Sequence, residues 1–306
     1  MSWILILEQS LNGLQFGLML FLLAAGLTLV FGIMDMINLA HGSLYMLGAF
    51  LASTFVQLTG SFLAGVLLAI PATAVLGMLL EVSILRTLYT RDHLSQVLAT
   101  FALILIINEL VRLVWGSDAA LPMPAALSGP VELLPGLRYP AYRLVIIGVG
   151  LAVALVLYLL VAKTRVGMLV RAGASNREMA LAMGVDIKLL FTLVFGAGAA
   201  LCAVAGSMLA PLLAVQVGMG ENILILAFVV IVIGGIGSIR GAFIASILVG
   251  LVEVIGRVFM KDILRTFLPE EFAQTAGPAL ASMSIYILMA AVLYFRPQGL
   301  FPARTG

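Results

Sequence analysis

Along the chain, apolar residues come in long unbroken runs rather than in alternation. The runs fall at 11–33, 36–58, 61–85, 94–115, 142–162, 189–211, 222–239, 241–256 and 279–295. A helix needs about 20 mostly apolar residues to cross the hydrocarbon core of a bilayer. A barrel would instead alternate over segments of about ten residues. The pattern predicts an all-α integral membrane protein, a polytopic bundle of eight to nine transmembrane helices. The count turns on whether 222–256 forms two spans or one span and a re-entrant piece. No tract is polar enough for a separate soluble domain, so 1–306 reads as a single transmembrane domain.

The polar positions between the runs set the orientation. Segment 163–188 carries Lys163, Arg165, Arg171, Arg177 and Lys188 against Glu178 and Asp186. Basic residues accumulate in cytoplasmic loops, so this segment is expected inside. Counting outward puts the N-terminus outside and Arg86, Arg91, Arg296 and Arg304 inside. It also puts 257–278 outside, where Asp262, Glu270 and Glu271 offset Arg257, Lys261 and Arg265. The outer excursion 116–141 holds Pro122, Pro124, Pro130, Pro135 and Pro140 and is expected to be irregular. The start, MSWILILEQS, has no Lys or Arg ahead of its apolar run and does not read as a secretory leader. An inverted repeat between the two halves is an expectation for a transporter. The halves can be laid side by side at Gly42 to Phe50 and Gly241 to Gly250.

Composition sharpens the picture. Hydrophobic residues make up 63% of the chain and charged residues 10%, where a soluble domain carries about 25% charged. With a mean hydropathy of +1.22, a cytosolic enzyme and a disordered chain are excluded. The net charge of +2 leaves no nucleic-acid footprint. The 31 glycines suit close helix packing in lipid, notably Gly13 with Gly17 and Gly237 with Gly241. Cys202 has no second cysteine to pair with, and His41 and His93 are too few for a metal cluster. None of Lys163, Lys188 and Lys261 follows a glycine, so there is no phosphate-binding loop of the ATPase type. The stretch 234–241 fails as a dinucleotide fingerprint, because Arg240 stands at the third glycine. The chain is therefore expected to be no enzyme and to hold no cofactor.

Two stretches carry more. In GLTLVFGIMDMINLAHGSLYMLGAF, residues 26–50, Asp35, Asn38, His41 and Tyr45 recur at helical spacing. Polar groups between apolar runs are costly in lipid. One reading is a polar turn in which Asp35 caps the second helix. The other is a broken helix lining a substrate path. In 163–190, Met168, Leu169, Met179, Leu181 and Met183 alternate with Arg171, Arg177 and Glu178. Ser175 followed by Glu178 has the capping-box pattern and predicts a short helix from near Asn176 to Gly184. That helix is either a docking element for a partner or a surface helix with snorkelling arginines.

Glu178-Met179-Ala180 followed by Gly184 resembles the "E-A-A, three residues, G" loop of ABC importer permeases, with Met179 replacing one alanine. The usual downstream I-x-L-P is missing; Ile187 and Leu189 come early and no proline follows. The blocks at 26–50, TRVGMLVRAGASNREMALAMGV, VVIVIGGIGSIRGAFIASILVGLVE at 229–253 and FRPQGLF at 295–301 closely resemble branched-chain amino acid ABC transporter permeases of the LivH type. Thr87, where that family shows a proline, is a departure. The resemblance implies the ABC importer permease fold in a bacterial inner membrane. It implies a second homologous permease, two cytoplasmic ATPase subunits that hydrolyse the ATP, and a periplasmic substrate-binding protein. The family's coupling helix falls on Arg171 to Gly184, with Asn176, Arg177, Glu178 and Ala180 inside it. The implied substrate is a hydrophobic, branched-chain amino acid, with urea, short amides or aromatic acids as alternatives in the same family. An ion-coupled secondary carrier is the reading from another class. Asp35, Asn38, His41 and Tyr45 are the candidates for the polar side of the pathway.

Overall fold

The computed structural model describes residues 3–267 and 269–301; Arg304, expected inside, lies outside them. The helices are α1 (Trp3–Met34), α2 (His41–Thr59), α3 (Phe62–Leu88), α4 (His93–Trp115), α5 (Ala141–Lys163), α6 (Arg165–Ser175), α7 (Arg177–Ala182), α8 (Ile187–Leu209), α9 (Met219–Gly234), α10 (Ile239–Arg265) and α11 (Glu270–Phe295). Four short strands lie between them: β1 (Asp118–Ala119), β2 (Pro130–Leu134), β3 (Leu137–Pro140) and β4 (Val215–Gln216). Among the described residues, eight helices are long and apolar enough to cross a membrane. The eight exclude α9, whose 16 residues are too few alone. Run 222–239 is thus a shorter helix than expected, and run 241–256 extends to Arg265.

Two breaks in the chain explain why α2 and α9 are offset from their runs. α1 ends at Met34, and Asp35 follows at φ 50°. Aspartate is one of the few non-glycine residues that enters the left-handed region without large cost, and here it turns the chain back. Residues 35–40 return without helical structure, burying Met36, Asn38 and Ala40. α2 then starts beside the last third of α1 and the middle of α8: a side chain on Gly26 would meet both His41 Nε2 and the Gly198 carbonyl. The same event follows α8. Segment 210–218 returns into the bundle and α9 starts beside α2, where the Gly218 amide donates to Met46 Sδ at 3.3 Å. A side chain on Gly42 would strike the Gly220 carbonyl, and one on Gly220 the Gly42 carbonyl. Only glycines permit the two helix starts to cross this closely.

The crossing relates the halves. Gly26 faces Gly198 as Gly42 faces Gly220. α1 packs on α10 through Gly13, Gly17 and Gly250, and α8 packs on α3 through Gly196, Gly77 and Ala199. The inverted-repeat expectation therefore has a geometric counterpart, but in a different register. Gly220 stands opposite Gly42, so Ala49-Phe50 corresponds to Ala227-Phe228, while Gly241 packs on Gly234 within the second half.

α1 forms the centre, with Leu18 to Leu27 buried on every side, as an all-round apolar helix requires. α5 and α11 sit outermost. Neither carries a charged residue between Arg143 and Lys163 or between Glu271 and Arg296, and Leu155, Val156, Met283 and Ile287 are exposed as a lipid-facing surface would be. At the end of the bundle away from the basic loop, the proline-rich excursion is more regular than expected. β2 and β3 form an antiparallel hairpin, and β1 pairs antiparallel with β4, Asp118 opposite Gln216. Trp115 Nε1 donates to Thr54 Oγ1 at 2.7 Å and Ser53 Oγ to the Ala120 carbonyl at 2.6 Å, which anchors this layer to the top of α2.

Candidate functional site

On the side carrying the basic loop, α6 and α7 form an elbow between α5 and α8. Thr164 Oγ1 accepts from the Gly167 amide at 3.2 Å and starts α6. Asn176 ends α6, and its Oδ1 accepts the Met179 amide at 2.9 Å. The expected start of the short helix is right to within a residue, but the capping group is Asn176, because Ser175 is the last residue of α6. Gly184 closes α7 at φ 84°. Its amide bonds the Leu181 carbonyl at 2.9 Å, and the Val185 amide bonds that of Ala180 at 3.0 Å, a left-handed glycine stop. Asp186 then caps α8 through the Leu189 amide at 3.0 Å. Ala180 is buried, while Glu178, Met179, Leu181 and Met183 are exposed on the free side of the elbow. Arg171 is exposed too and donates to the Val161 carbonyl.

Arg177 points the other way. Its Nε and Nη2 donate to the Ile33 carbonyl at 3.1 and 2.7 Å. Ile33 lies in the last turn of α1, where carbonyls lack helical partners and a cation is favoured. The guanidinium carbon also sits 5.2 Å from the centre of the Phe191 ring. Phe191 meets Tyr89 edge to face at 5.4 Å, and Tyr89 donates to Glu81 Oε1 at 2.8 Å. Glu81 is fully buried. It accepts Arg86 through Nε at 3.2 Å and Nη2 at 3.0 Å, and Thr192 Oγ1 at 2.6 Å. Burial first, and the bond to Glu81 second, push the Tyr89 phenol up, so it stays a donor at neutral pH. The network joins α3 and α8 to the elbow and to the end of α1. Sequence reading placed Arg86 inside but missed Tyr89, Phe191 and Thr192, because the last two lie about a hundred residues from Tyr89 and share no pattern with it.

The four pathway candidates part company. Asp35 is exposed at the break and lies too far ahead of α2 to cap it; the cap position is Ala40, which contributes no side-chain bond. The shared helical face does not form, because Asp35 and Asn38 lie in the non-helical segment. Asn38 Oδ1 accepts the Ala40 amide at 3.0 Å, and the Ile37 amide donates to Gln96 Oε1 at 3.3 Å. Gln96 Nε2 in turn bonds the Leu88 and Arg91 carbonyls at 3.2 and 3.0 Å, so α4 holds the segment in place. His41 and Tyr45 do share a face, one turn apart on α2. His41 Nε2 lies 3.1 Å from Cys202 Sγ. Asn38, His41 and Tyr45 are all buried, and Asn38 Nδ2 and the Tyr45 hydroxyl have no partner among the described residues. One more polar contact escaped sequence reading: Asn108 Nδ2 on α4 donates to Glu221 Oε1 on α9 at 2.8 Å. Among the described residues no three His, Cys, Asp or Glu side chains gather as a metal site would need.

Comparison with known proteins adds the following. The profile of the family described as "Branched-chain amino acid transport system / permease component" matches residues 9–293. The high-affinity branched-chain amino acid transport system permease protein BraD of Pseudomonas aeruginosa is 30% identical over 307 residues, covering 96% of this chain and 95% of that protein. The permease protein LivH of Escherichia coli K12, named for the same kind of system, is 29% identical over 276 residues, 83% of this chain and 87% of that one. A probable LivH protein of Methanocaldococcus jannaschii is 28% identical over 291 residues, covering 92% and 88%. No solved structure gives a significant match.

Proposed function

We infer the role of this chain from one premise: it belongs to the family of branched-chain amino acid transport permease components. It is the membrane-spanning subunit of an ABC importer that moves branched-chain amino acids across a bacterial inner membrane. It carries no ATP site of its own and works beside a second homologous permease, two cytoplasmic ATPase subunits and a periplasmic binding protein. Residues 1–306 act as one transmembrane domain. The names of the similar proteins favour branched-chain amino acids over urea or short amides.

The observation that supports a mechanism is the Arg177 grip on the Ile33 carbonyl. Glu178, with Met179, Leu181 and Met183, offers an exposed docking side to an ATPase, while Arg177 holds the opposite side of the same short helix to α1. Asn176 and Gly184 fix where that helix starts and stops, Ala180 seats it, and Arg171 ties α6 to the end of α5. A stroke from the ATPases therefore reaches the end of α1 and the break at Asp35, beyond which Asn38, His41 and Tyr45 line the polar part of the route.

The test is reconstitution. The chain, its partner permease, the ATPases and the binding protein are placed in proteoliposomes and ATP-dependent uptake of labelled leucine is followed, with isoleucine, valine and urea as competitors. Uptake blocked by isoleucine and valine but not by urea is expected. Leucine uptake that needs neither ATP nor the ATPases would refute the importer reading, and competition by urea alone would refute the substrate.

A further inference from the structure

We propose that Glu221, held by Asn108, is the group on this chain that takes the ammonium end of the amino acid during passage; the proposal rests on the amino-acid permease reading above. Glu221 follows Gly220, which packs against Gly42 at the start of α2. Gly42 lies about three helical turns below Thr54, the residue that Trp115 bonds on the outer side. Asn108 lies about two turns below Trp115 on α4. The Asn108–Glu221 contact thus sits well inside the span, yet the Glu221 side chain is at the surface of the chain.

A carboxylate at that depth is costly against lipid, and such groups nearly always face a water-filled path or a protein partner. The surroundings agree. Glu109 and Arg112 pair on the neighbouring surface of α4 at 2.6 Å, with 62% and 56% of their side chains exposed, whereas the outward surfaces of α5 and α11 carry no charge between their ends. Glu109, Arg112 and Glu221 therefore set the surface along α4 and the start of α9 apart from the surfaces of α5 and α11, and the pathway is placed there. The Glu221 carboxylate accepts one amide hydrogen from Asn108 and keeps acceptor capacity for a charge-assisted bond to an ammonium group. Arg112, one turn further out on the Asn108 face of α4, offers a cation for the carboxylate end of the same zwitterion.

Two experiments on the assembled importer test this. In the first, Glu221→Gln keeps the contact to Asn108 and removes the charge, whereas Asn108→Ala removes the contact and keeps the charge. Glu221→Gln is expected to lower leucine uptake at least tenfold while ATP hydrolysis stimulated by the loaded binding protein stays within about twofold, with Glu221→Asp recovering part of the uptake and Asn108→Ala losing less than Glu221→Gln. The reverse order, Asn108→Ala the more damaging, makes the pair a helix tie and overturns the proposal. In the second, Glu221→Cys is treated with a membrane-impermeant maleimide. Labelling slowed by leucine during turnover is expected; no labelling in the assembled importer, meaning that lipid or sealed protein covers the position, overturns it. If the unaltered importer moves leucine and these variants behave as helix ties, the site assignment fails alone. If the unaltered importer moves no branched-chain amino acid, the functional reading fails first.

Discussion

Replacing Arg177 with alanine separates docking from coupling, because the two sides of α7 touch different things. The side chain faces inward to α1, and the ATPase side carries Glu178 and the exposed Met179, Leu181 and Met183. Two charge-assisted bonds onto one carbonyl contribute about 2–3 kcal/mol, and the guanidinium over the Phe191 ring about 1 kcal/mol. Together these amount to about 3–4 kcal/mol, or roughly a hundredfold to a thousandfold in the equilibrium that holds the elbow to α1. If that contact carries the stroke, Arg177→Ala leaves ATPase binding intact and hydrolysis within about twofold of normal, while leucine uptake falls at least tenfold. Arg177→Lys keeps a charge but loses the planar fork and falls between. Phosphate release and leucine uptake are measured in the same proteoliposomes, with ATPase recovery on a tagged permease as the docking control. A normal ratio of leucine moved to ATP hydrolysed in Arg177→Ala would refute the reasoning. So would loss of docking, since it would place Arg177 on the ATPase side.

Two further outcomes test the packing. Glu81→Ala leaves Arg86, Tyr89 and Thr192 without their shared acceptor; breaking such a buried pair costs about 3 kcal/mol at the lower end, because Arg86 is partly exposed. The thermal unfolding midpoint of the detergent-solubilised importer should drop by several degrees, and by less in Glu81→Gln; an unchanged midpoint would show that the network contributes nothing. Gly42→Val drives a side chain into the Gly220 carbonyl and should abolish recovery of folded protein from membranes. Gly148→Ala, where a side chain meets open space on α5, should leave recovery unchanged or gain up to about 1 kcal/mol of helix stability; equal recovery of both variants would remove the crossing from the account.

The spans were legible because apolar length is set by the bilayer and shows in one dimension. α4 and α5 follow their runs closely for that reason, whereas α11 begins nine residues ahead of its run, at Glu270. The break at 35–40 was legible only as an alternative, since Met36, Ile37 and Leu39 continue the apolar pattern and only Asp35 and Asn38 interrupt it. The offset of α9 was illegible: residues 212–221 read only as the link between two runs, but they include a returning segment whose backbone is partly satisfied by pairing with Asp118 and Ala119. Basic charge located the elbow, and glycine with asparagine located the ends of α7. Nothing in one dimension brings Arg177 to Ile33, Glu81 to Thr192 or Asn108 to Glu221, because each contact joins residues that only the bundle makes neighbours.

The two returning segments have the same place in the repeat but different restraints, and the difference suggests how a push becomes a rearrangement. Segment 35–40 is held from the side of the elbow: Arg177 grips the α1 carbonyl two residues before Asp35, and Gln96 holds the Ile37 amide. Segment 210–218 is held from the outer side, where β4 pairs with β1 and β1 is tied through Trp115 and Ser53 to the top of α2. One end of the Gly42–Gly220 crossing is thus attached to the element an ATPase would move, and the other to a layer that stays with the outer surface. A displacement of α7 cannot carry both half-helices equally. It must change how α2 and α9 meet, at the depth where His41, Tyr45 and Glu221 lie. Weakening the outer pin should therefore also uncouple the importer: Thr54→Val, which removes the acceptor for Trp115 together with the hydroxyl's own local bond to the Phe50 carbonyl and costs about 1 kcal/mol, should lower leucine moved per ATP without changing docking. If only the inner grip matters, Thr54→Val will transport at the normal ratio, and the two-anchor account is wrong.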